Sequence, residues 1–339
     1  VTSPATAPAL AEPSTSARRS GGARYVLGKV GGAVVSLFVV MVLGFFLFRV
    51  LPGDPIRLLT RNTSLGAAQV AELRHRYGLD LPLPAQFLDY MSKLLHGDMG
   101  DSLKFQQPVA DLILQRLWPT VLLVGVATLL SILLGLWQGT RAGWRRGSGF
   151  DRFSTGFALT LWSAPTFWLG MILLALGGSL FPTQGILDPD TPASFLPQVA
   201  DVLHHLVLPC LTLVAVLYAQ YLLVMRSSLL EEMNADYLTT ARAKGLRDDL
   251  VRSRHAVPNA LLPTVTLIFI QLGFVVGGAV TVETVYSWPG LGLLLYQAIT
   301  DHDGPLLQGL LLVLAGAVLV MNLIGDLLLR VIDPRVRAA

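Results

Sequence analysis

Charge is what this sequence has least of. Asp, Glu, Lys and Arg make up only 14% of its 339 residues, against 53% hydrophobic ones, whereas a soluble globular domain carries roughly a quarter charged residues. So few charges cannot clothe a water-facing surface, and lipid is the solvent that suits the chain. Cysteine is nearly missing too. Cys210 stands alone, which excludes an intrachain disulfide and a cysteine-built metal cluster and leaves the redox compartment open. None of the lysines falls in a G-x-x-x-x-G-K-[ST] context, since Lys29 is followed by Val30 and Lys244 by Gly245. The phosphate cradle of a P-loop nucleotide site is therefore absent. Histidines are scattered, and only His204 and His205 adjoin; neighbours on a helix point about 100° apart and rarely ligate one ion together. No metal site is expected.

What is abundant is long apolar sequence. Stretches free of charge recur at Val30 to Phe48, Leu117 to Thr140, Phe153 to Leu187, Val202 to Met225, Ala256 to Val282 and Pro305 to Gly325. Each supplies the ~20 residues that cross ~30 Å of hydrocarbon as a helix. An all-α membrane protein of six spans follows, because lipid leaves no partner for an open sheet edge. The third stretch is overlong, and its helix is expected to end near Phe181, before the loop marked by Pro182, Gly185, Pro189 and Pro192. Residues 1–24, rich in Pro, Ala, Ser and Thr, read as a disordered cytoplasmic tail ahead of the membrane domain 25–339. The run from Val30 is too long for a signal h-region, so it is expected to be a retained first helix.

Orientation follows the placement of Lys and Arg. They cluster before span one (Arg18, Arg19, Arg24, Lys29), after span two (Arg141, Arg145, Arg146, Arg152), between spans four and five, and in the tail (Arg330, Arg335, Arg337). Those segments face the cytoplasm. The loops after spans three and five hold no Lys or Arg, and the first loop, 52–116, matches its bases with as many acids. These face outward.

One cytoplasmic loop, residues 226–260, contains "YLTTARAKGLRDDLVRSRHAVPNALLP" from Tyr237 to Pro263. Asp236 is placed to cap a short helix through the Leu238 or Thr239 amide, Ala241 and Ala243 keep its surface low, and Gly245 supplies a left-handed stop. Asp248 or Asp249 restarts a helix that enters the membrane between Pro258 and Pro263. The product is an elbow across the mouth of the bundle. Small side chains flanked by Arg242, Lys244 and Arg247 suit docking into a cleft on another protein, although basic residues here also follow from orientation alone.

The order of residues resolves that choice. Thr239-Thr240-Ala241, three residues, Gly245, nine residues, then His255-Ala256-Val257-Pro258 resembles the "EAA...G.........I.LP" loop of ABC importer permeases. The segment "DYLTTARAKGL...RHAVPNALLP" is similar to the version found in the dipeptide/oligopeptide/nickel branch. The likeness extends to "FFLFRVLPGDP" at Phe45 to Pro55, "YGLDLPLPAQFLDYMSKLLHGDMGDSL" at Tyr77 to Leu103, "ETVYSWPGLGLLLYQAI" at Glu283 to Ile299 and "LRVIDPRVR" at Leu329 to Arg337. All resemble the B-type permease of that branch.

The resemblance implies a type I importer permease in a bacterial inner membrane. Its short helix would be the coupling helix seated in a cytoplasmic ATPase, with Asp236, Ala241, Arg242, Ala243, Lys244, Gly245, Leu246 and His255 at the junction. Thr239 stands where the general motif has Glu. The implied partners are a second related permease, two ATPase subunits that bind ATP and Mg, and an external binding protein that delivers substrate. No cofactor, nucleic acid or catalysis is implied for the chain itself. A dipeptide or oligopeptide is the implied cargo, with a nickel chelate or another small solute, or a non-transporting scaffold, as alternatives.

Further residues attract attention by depth. Asp54 in the rigid turn Pro52–Pro55, and Glu283, Trp288, Pro289 and Gly290 after span five, are candidates for an outer gate or for binding-protein contact. Glu283 is expected to meet donors on the partner permease or the binding protein, or else to be a simple interfacial carboxylate. Gln220, Gln271 and Asn322 either line the pathway or join helices through hydrogen bonds, the second being the favoured reading. Asp326 pairs on paper with Arg330 at i+4. The first external loop predicts helices at Gln69 to Tyr77 and Ala85 to Leu95, forming a cap that contacts the binding protein or only packs on the bundle. The pathway shows no charged ring or aromatic box, so selectivity is left to the external protein.

Overall fold

The computed structural model describes residues 15–50, 68–69, 72, 80–274 and 279–332. Asp54 and its Pro-Gly turn lie outside these residues. The architecture is all-α, with one isolated antiparallel bridge between Asp101 and Pro108 among the described residues. In chain order the helices are α1 Thr15–Val50, α2 Leu83–Leu95, α3 Val109–Trp144, α4 Gly149–Ser163, α5 Thr166–Gly177 and α6 Phe195–Glu232. There follow α7 Asp236–Ala243, α8 Asp248–Val251, a π-helical turn Arg252–Ala256, α9 Val257–Phe274, α10 Val280–Val285, α11 Leu291–Thr300 and α12 Gly304–Ile332.

Four of these helices, α1, α3, α6 and α12, are long and apolar enough to cross a membrane, and α4 with α5 makes a fifth if the bent pair is one span. The expected fifth stretch carries α9 and then the short α10. The third stretch departs from expectation. Pro165 has no N–H to give the helix and crowds the residue before it, so Ala164 turns extended (φ −79°, ψ 137°) and the axis swings by 104°. The N-terminal tail also differs, because α1 begins at Thr15 rather than after residue 24. Ala17, Arg18 and Arg19 follow Thr15 and Ser16, and Ala and Arg are strong helix formers. Helices α3 and α6 overrun their apolar stretches at both ends, which moves Val109 to Arg116 from the first loop into α3. Of the predicted loop helices, α2 is present. Residues 68, 69 and 72 are helical, while the rest of the segment Gln69 to Tyr77 lies outside the described residues.

The centre of the bundle is the pairing of α3 with α6. Gly135, Gly139 and Gly143 repeat every fourth residue on one face of α3. A Cβ at Gly135 would sit 2.6 Å from Tyr221 Cβ, and one at Gly139 would sit 2.6 Å from the Leu222 carbonyl oxygen. Only glycine permits this approach, the small-residue solution to helix packing in lipid, where dispersion contacts must replace hydrophobic drive. Leu123, Ala127, Tyr218 and Leu222 continue the core toward Tyr286 and Trp288. A second cluster joins Val109 and Ile113 to Leu291, Leu294, Leu306 and Leu310, and a third lies under the cytoplasmic loop.

Polar contacts sort the loops onto two sides, as the charge pattern requires. At one end Lys29 of α1 meets Asp326 of α12 at 2.7 Å. Arg226 of α6 forks onto Asp151 of α4 at 2.6 and 2.9 Å. Trp144 Nε1 donates to Asp248 at 3.0 Å. At the other end Ser102 Oγ donates to Asp303 at 2.6 Å, Lys104 pairs with Asp301 at 3.2 Å, and the Gly185 amide donates to the Tyr286 carbonyl at 3.0 Å. The expected partner of Asp326, Arg330, has its side chain outside the described residues, and the partner that is described is Lys29. Antiparallel packing of α1 on α12 brings the start of one helix beside the end of the other, a neighbour that spacing within α12 cannot reveal.

Candidate functional site

The cytoplasmic elbow is built in three steps. Helix α7 starts at Asp236, preceded by Ala235 in an extended conformation with no side-chain cap. Asp236 is thus the first helical residue and not the cap. Its carboxylate still opposes the positive end of the helix. The helix stops where Gly245 adopts φ +77°, the expected left-handed conformation, and Asp248 and Asp249 occupy the first turn of α8. The π turn then feeds α9, whose first residues are Val257 and Pro258.

Burial divides α7 into two faces. Leu238 is fully buried and Ala241 nearly so, packed with Met225, Leu229, Val251, Ala256 and Ala260. Burying Leu238 alone contributes about 1.5–3 kcal/mol. Ala241 therefore anchors the helix to its own bundle, so the expected small docking face is not formed by Ala241 and Ala243 together. Ala is needed at 241 because the bundle lies against it. The outward face carries Arg242, Ala243, Lys244, Gly245 and Leu246. Arg242 lies over the Trp144 ring at 5.8 Å and 3.6 Å from Asp248, which ties α7, α8 and the end of α3 together. Tyr237 donates its hydroxyl to Glu232 and accepts from Asn259 Nδ2 at 3.1 Å, bridging α6 to α9. Burial, helped by the Glu232 carboxylate, raises the Tyr237 phenol above its ordinary value, so it remains a donor. His255 is half-buried on the π turn, and its carbonyl accepts from Asn259 at 2.9 Å.

At the opposite end, Glu283 is completely buried on α10. Its Oε2 accepts from the Gly292 and Leu293 amides at 2.7 and 3.1 Å, and its Oε1 accepts from Thr120 Oγ1 at 2.7 Å. Thr120 accepts in turn from the Leu291 amide at 2.7 Å. Helix α11 has Gly290 at its N-cap and no capping side chain of its own. Glu283 and Thr120 together satisfy its first three amides, placing negative charge at the positive end of the helix. A Cβ on Gly290 would collide with the Glu283 carboxylate, and one on Gly292 would lie 2.5 Å from Val280 Cα. Hence the two glycines of "WPGLG".

Trp288 is equally buried, and its Nε1 donates to the Pro119 carbonyl at 2.9 Å. Tyr286 donates to the Gly170 carbonyl at 3.1 Å and shares a hydrogen bond with Thr212 at 2.8 Å. Glu283 and Trp288 therefore tie this turn to α3 and α11, and Tyr286 ties it to α5 and α6, all within this chain. This corrects the expectation that Glu283 meets donors on other subunits, because folding α10 back onto α3 supplies the donors internally. Pro289 is half-buried and Ser287 is exposed on the same turn. Gln220 and Gln271 hydrogen-bond to each other and join α6 to α9, while Asn322 is exposed on α12.

Sequence reasoning missed Thr120, Asp151, Arg226 and Trp144 as parts of these sites. Gly135, Gly139 and Gly143 carried a readable signal, the four-residue glycine spacing. Thr120 carried none, since its partners lie on α10 and α11.

Residues 113–338 match the family of binding-protein-dependent transport system inner membrane components, and residues 23–124 match the N-terminal component of the same systems. The chain belongs to this permease family. A peptide permease protein of Brucella suis biovar 1 is 38% identical over 319 residues, covering 93% of this chain and 99% of that one. The dipeptide transport system permease protein DppB of Escherichia coli K12 is 34% identical over 334 residues, covering 93% and 98%. The glutathione transport system permease protein GsiC of the same strain is 37% identical over 315 residues, covering 92% and 98%. The permease is thus an inner-membrane transport component of the ABC peptide type, with its basic elbow at the end that carries both α1's start and α12's end.

Proposed function

We propose that this permease forms half of the pathway of an ATP-driven importer for short peptides and receives the stroke of a cytoplasmic ATPase through α7. The observation that carries the reading is the two-faced helix: Leu238 and Ala241 are locked into the bundle, while Arg242, Ala243, Lys244 and Leu246 are left outward. A push on the outer face therefore reaches Met225 of α6, Ala256 of the π turn and Ala260 at the start of α9 without passing through a flexible tether. The fixed Tyr237–Asn259 contact adds a polar link along the same route. ATP and Mg belong to two ATPase subunits, a second related permease completes the pathway, and an external binding protein presents the cargo. Peptide cargo is supported by the three relatives, whose names specify peptide, dipeptide and glutathione transport.

The test is reconstitution of the permease with its second permease, ATPases and binding protein in liposomes, measuring uptake of labelled dipeptide and the accompanying ATP hydrolysis. Peptide uptake that needs ATP and the binding protein is expected. Stimulation by a nickel chelate with none by peptides would overturn the cargo, and no stimulated hydrolysis with any solute would leave a scaffold in place of a transporter.

A further inference from the structure

The cytoplasmic arginines differ in their partners. Arg226, Arg242 and Arg247 each face a carboxylate of this chain: Asp151, Asp248 and Asp249 respectively. Arg141, Arg145 and Arg252 form no ion pair among the described residues, yet they converge on one cleft of about 550 Å³. That volume lies inside the ~300–1,000 Å³ range of sites for small molecules. Two elements make the cleft. Helix α3 brings Trp137 and, one turn later, Arg141, with Arg145 at its end; the π turn brings Arg252, and α9 brings Leu261. Arg141 lies 5.0 Å over the Phe150 ring, a cation–π contact that holds its guanidinium beside α4.

The lining is amphiphilic along the membrane normal. Leu136, Trp137 and Leu261 belong to apolar stretches that cross the membrane, while the three guanidiniums stand where those stretches end. Trp137 is half exposed, at the level where aromatic side chains mark the headgroup boundary. Three cations with no carboxylate among the lining residues favour an anion, and apolar walls below them favour hydrocarbon. An anionic glycerophospholipid supplies both.

We propose that this cleft binds the phosphate-bearing headgroup of an anionic phospholipid from the cytoplasmic leaflet. Arg141, Arg145 and Arg252 hold the phosphate, and the first acyl methylenes lie along Leu136, Trp137 and Leu261. Guanidinium suits this role because its planar fork meets phosphate through two hydrogen bonds at once. Basic pockets between helices on the cytoplasmic side are a general solution for such headgroups. A lipid seated here joins the end of α3 to the turn from which α9 leaves the coupling loop, so its presence stiffens that junction.

The test uses the full-length permease in nanodiscs of phosphatidylcholine doped with phosphatidylglycerol, with lipid retention read by native mass spectrometry. Wild type is expected to retain phosphatidylglycerol and not phosphatidylcholine. Arg252→Gln should lower retention roughly fivefold, and the triple Arg141→Gln, Arg145→Gln, Arg252→Gln roughly a hundredfold. Arg146→Gln, outside the cleft lining, should retain lipid as wild type does. Equal retention by wild type and the triple variant overturns the proposal, as does equal retention of the two lipids by wild type. Displacement of phosphatidylglycerol by millimolar inorganic phosphate would make this a free-anion site and also overturn it. Should the triple variant fail to fold, wild type alone decides. Phosphatidylglycerol brominated on its acyl chain must quench the fluorescence lost in Trp137→Phe more strongly than brominated phosphatidylcholine does, and equal quenching refutes the site.

Discussion

Replacing Glu283 with Gln keeps the shape of the buried side chain and changes what its atoms can accept. In the native turn Oε2 accepts from the Gly292 and Leu293 amides while Oε1 accepts from the Thr120 hydroxyl. An amide oxygen can retain the first two bonds. The amide nitrogen then faces Thr120 Oγ1, which already accepts from the Leu291 amide at 2.7 Å. Two donors now point at one hydroxyl, and its own hydrogen has lost its acceptor. One buried donor left unpaired costs about 1–3 kcal/mol, and removing the carboxylate charge from the α11 terminus adds up to about 1 kcal/mol. A loss of about 1–4 kcal/mol lowers the unfolding midpoint by roughly 1–6 °C in a chain of this length. Cys210 is the only cysteine and is buried in the core, so a thiol-reactive dye that fluoresces on labelling reports unfolding of the detergent-solubilised protein. Thr120→Val deletes the same hydrogen bond from its other side, so the two changes combined must destabilise by less than their sum. An unchanged midpoint in Glu283→Gln, or strict additivity with Thr120→Val, refutes the internal clamp.

Other outcomes follow from single distances or angles. Gly139→Ala sets a methyl 2.6 Å from the Leu222 carbonyl and should cost about 1–3 kcal/mol through overpacking. Gly125→Ala, with nothing within 4 Å, should be neutral; equal dye-labelling midpoints for the two would contradict the close α3–α6 pairing. Gly245→Val meets no neighbour but must hold φ +77°, a backbone cost on the order of 1–2 kcal/mol for a β-branched residue. The bundle should stay folded while ATP-dependent uptake falls, and normal uptake would show that the elbow's shape is dispensable. In a Cys210→Ser background, cysteine at exposed Ser194 should react with an impermeant thiol reagent in intact cells, and cysteine at exposed Ser253 only after permeabilisation. Reversed labelling would invert the topology and remove the coupling role.

Much of the elbow was legible because its signals are local. Gly245 announces a left-handed stop and Asp248 with Asp249 announces a restart, since both effects act within one turn of the chain. Which face of α7 is buried was not legible. Ala241 differs from Ala243 only in what the bundle places opposite it. The break at Ala164–Pro165 was written in the chain as Pro165, yet hydropathy averaged over the stretch concealed it. Glu283 was marked by its depth, while its donors had to wait for the folding of α10 against α3.

The sequence by itself determined the solvent, the helical class, the sidedness and the position of the elbow. Those properties depend on hydrocarbon thickness, backbone hydrogen bonding and the placement of Lys and Arg, which are sums over adjacent residues. The tertiary structure alone decided that Asp326 faces Lys29, that Thr120 and Glu283 cap α11, and that three arginines share one cleft. Each of those joins residues far apart in the chain. Partners at such separations are chosen by which helices pack together, and in lipid that choice rests on close contacts such as Gly135, Gly139 and Gly143 against α6.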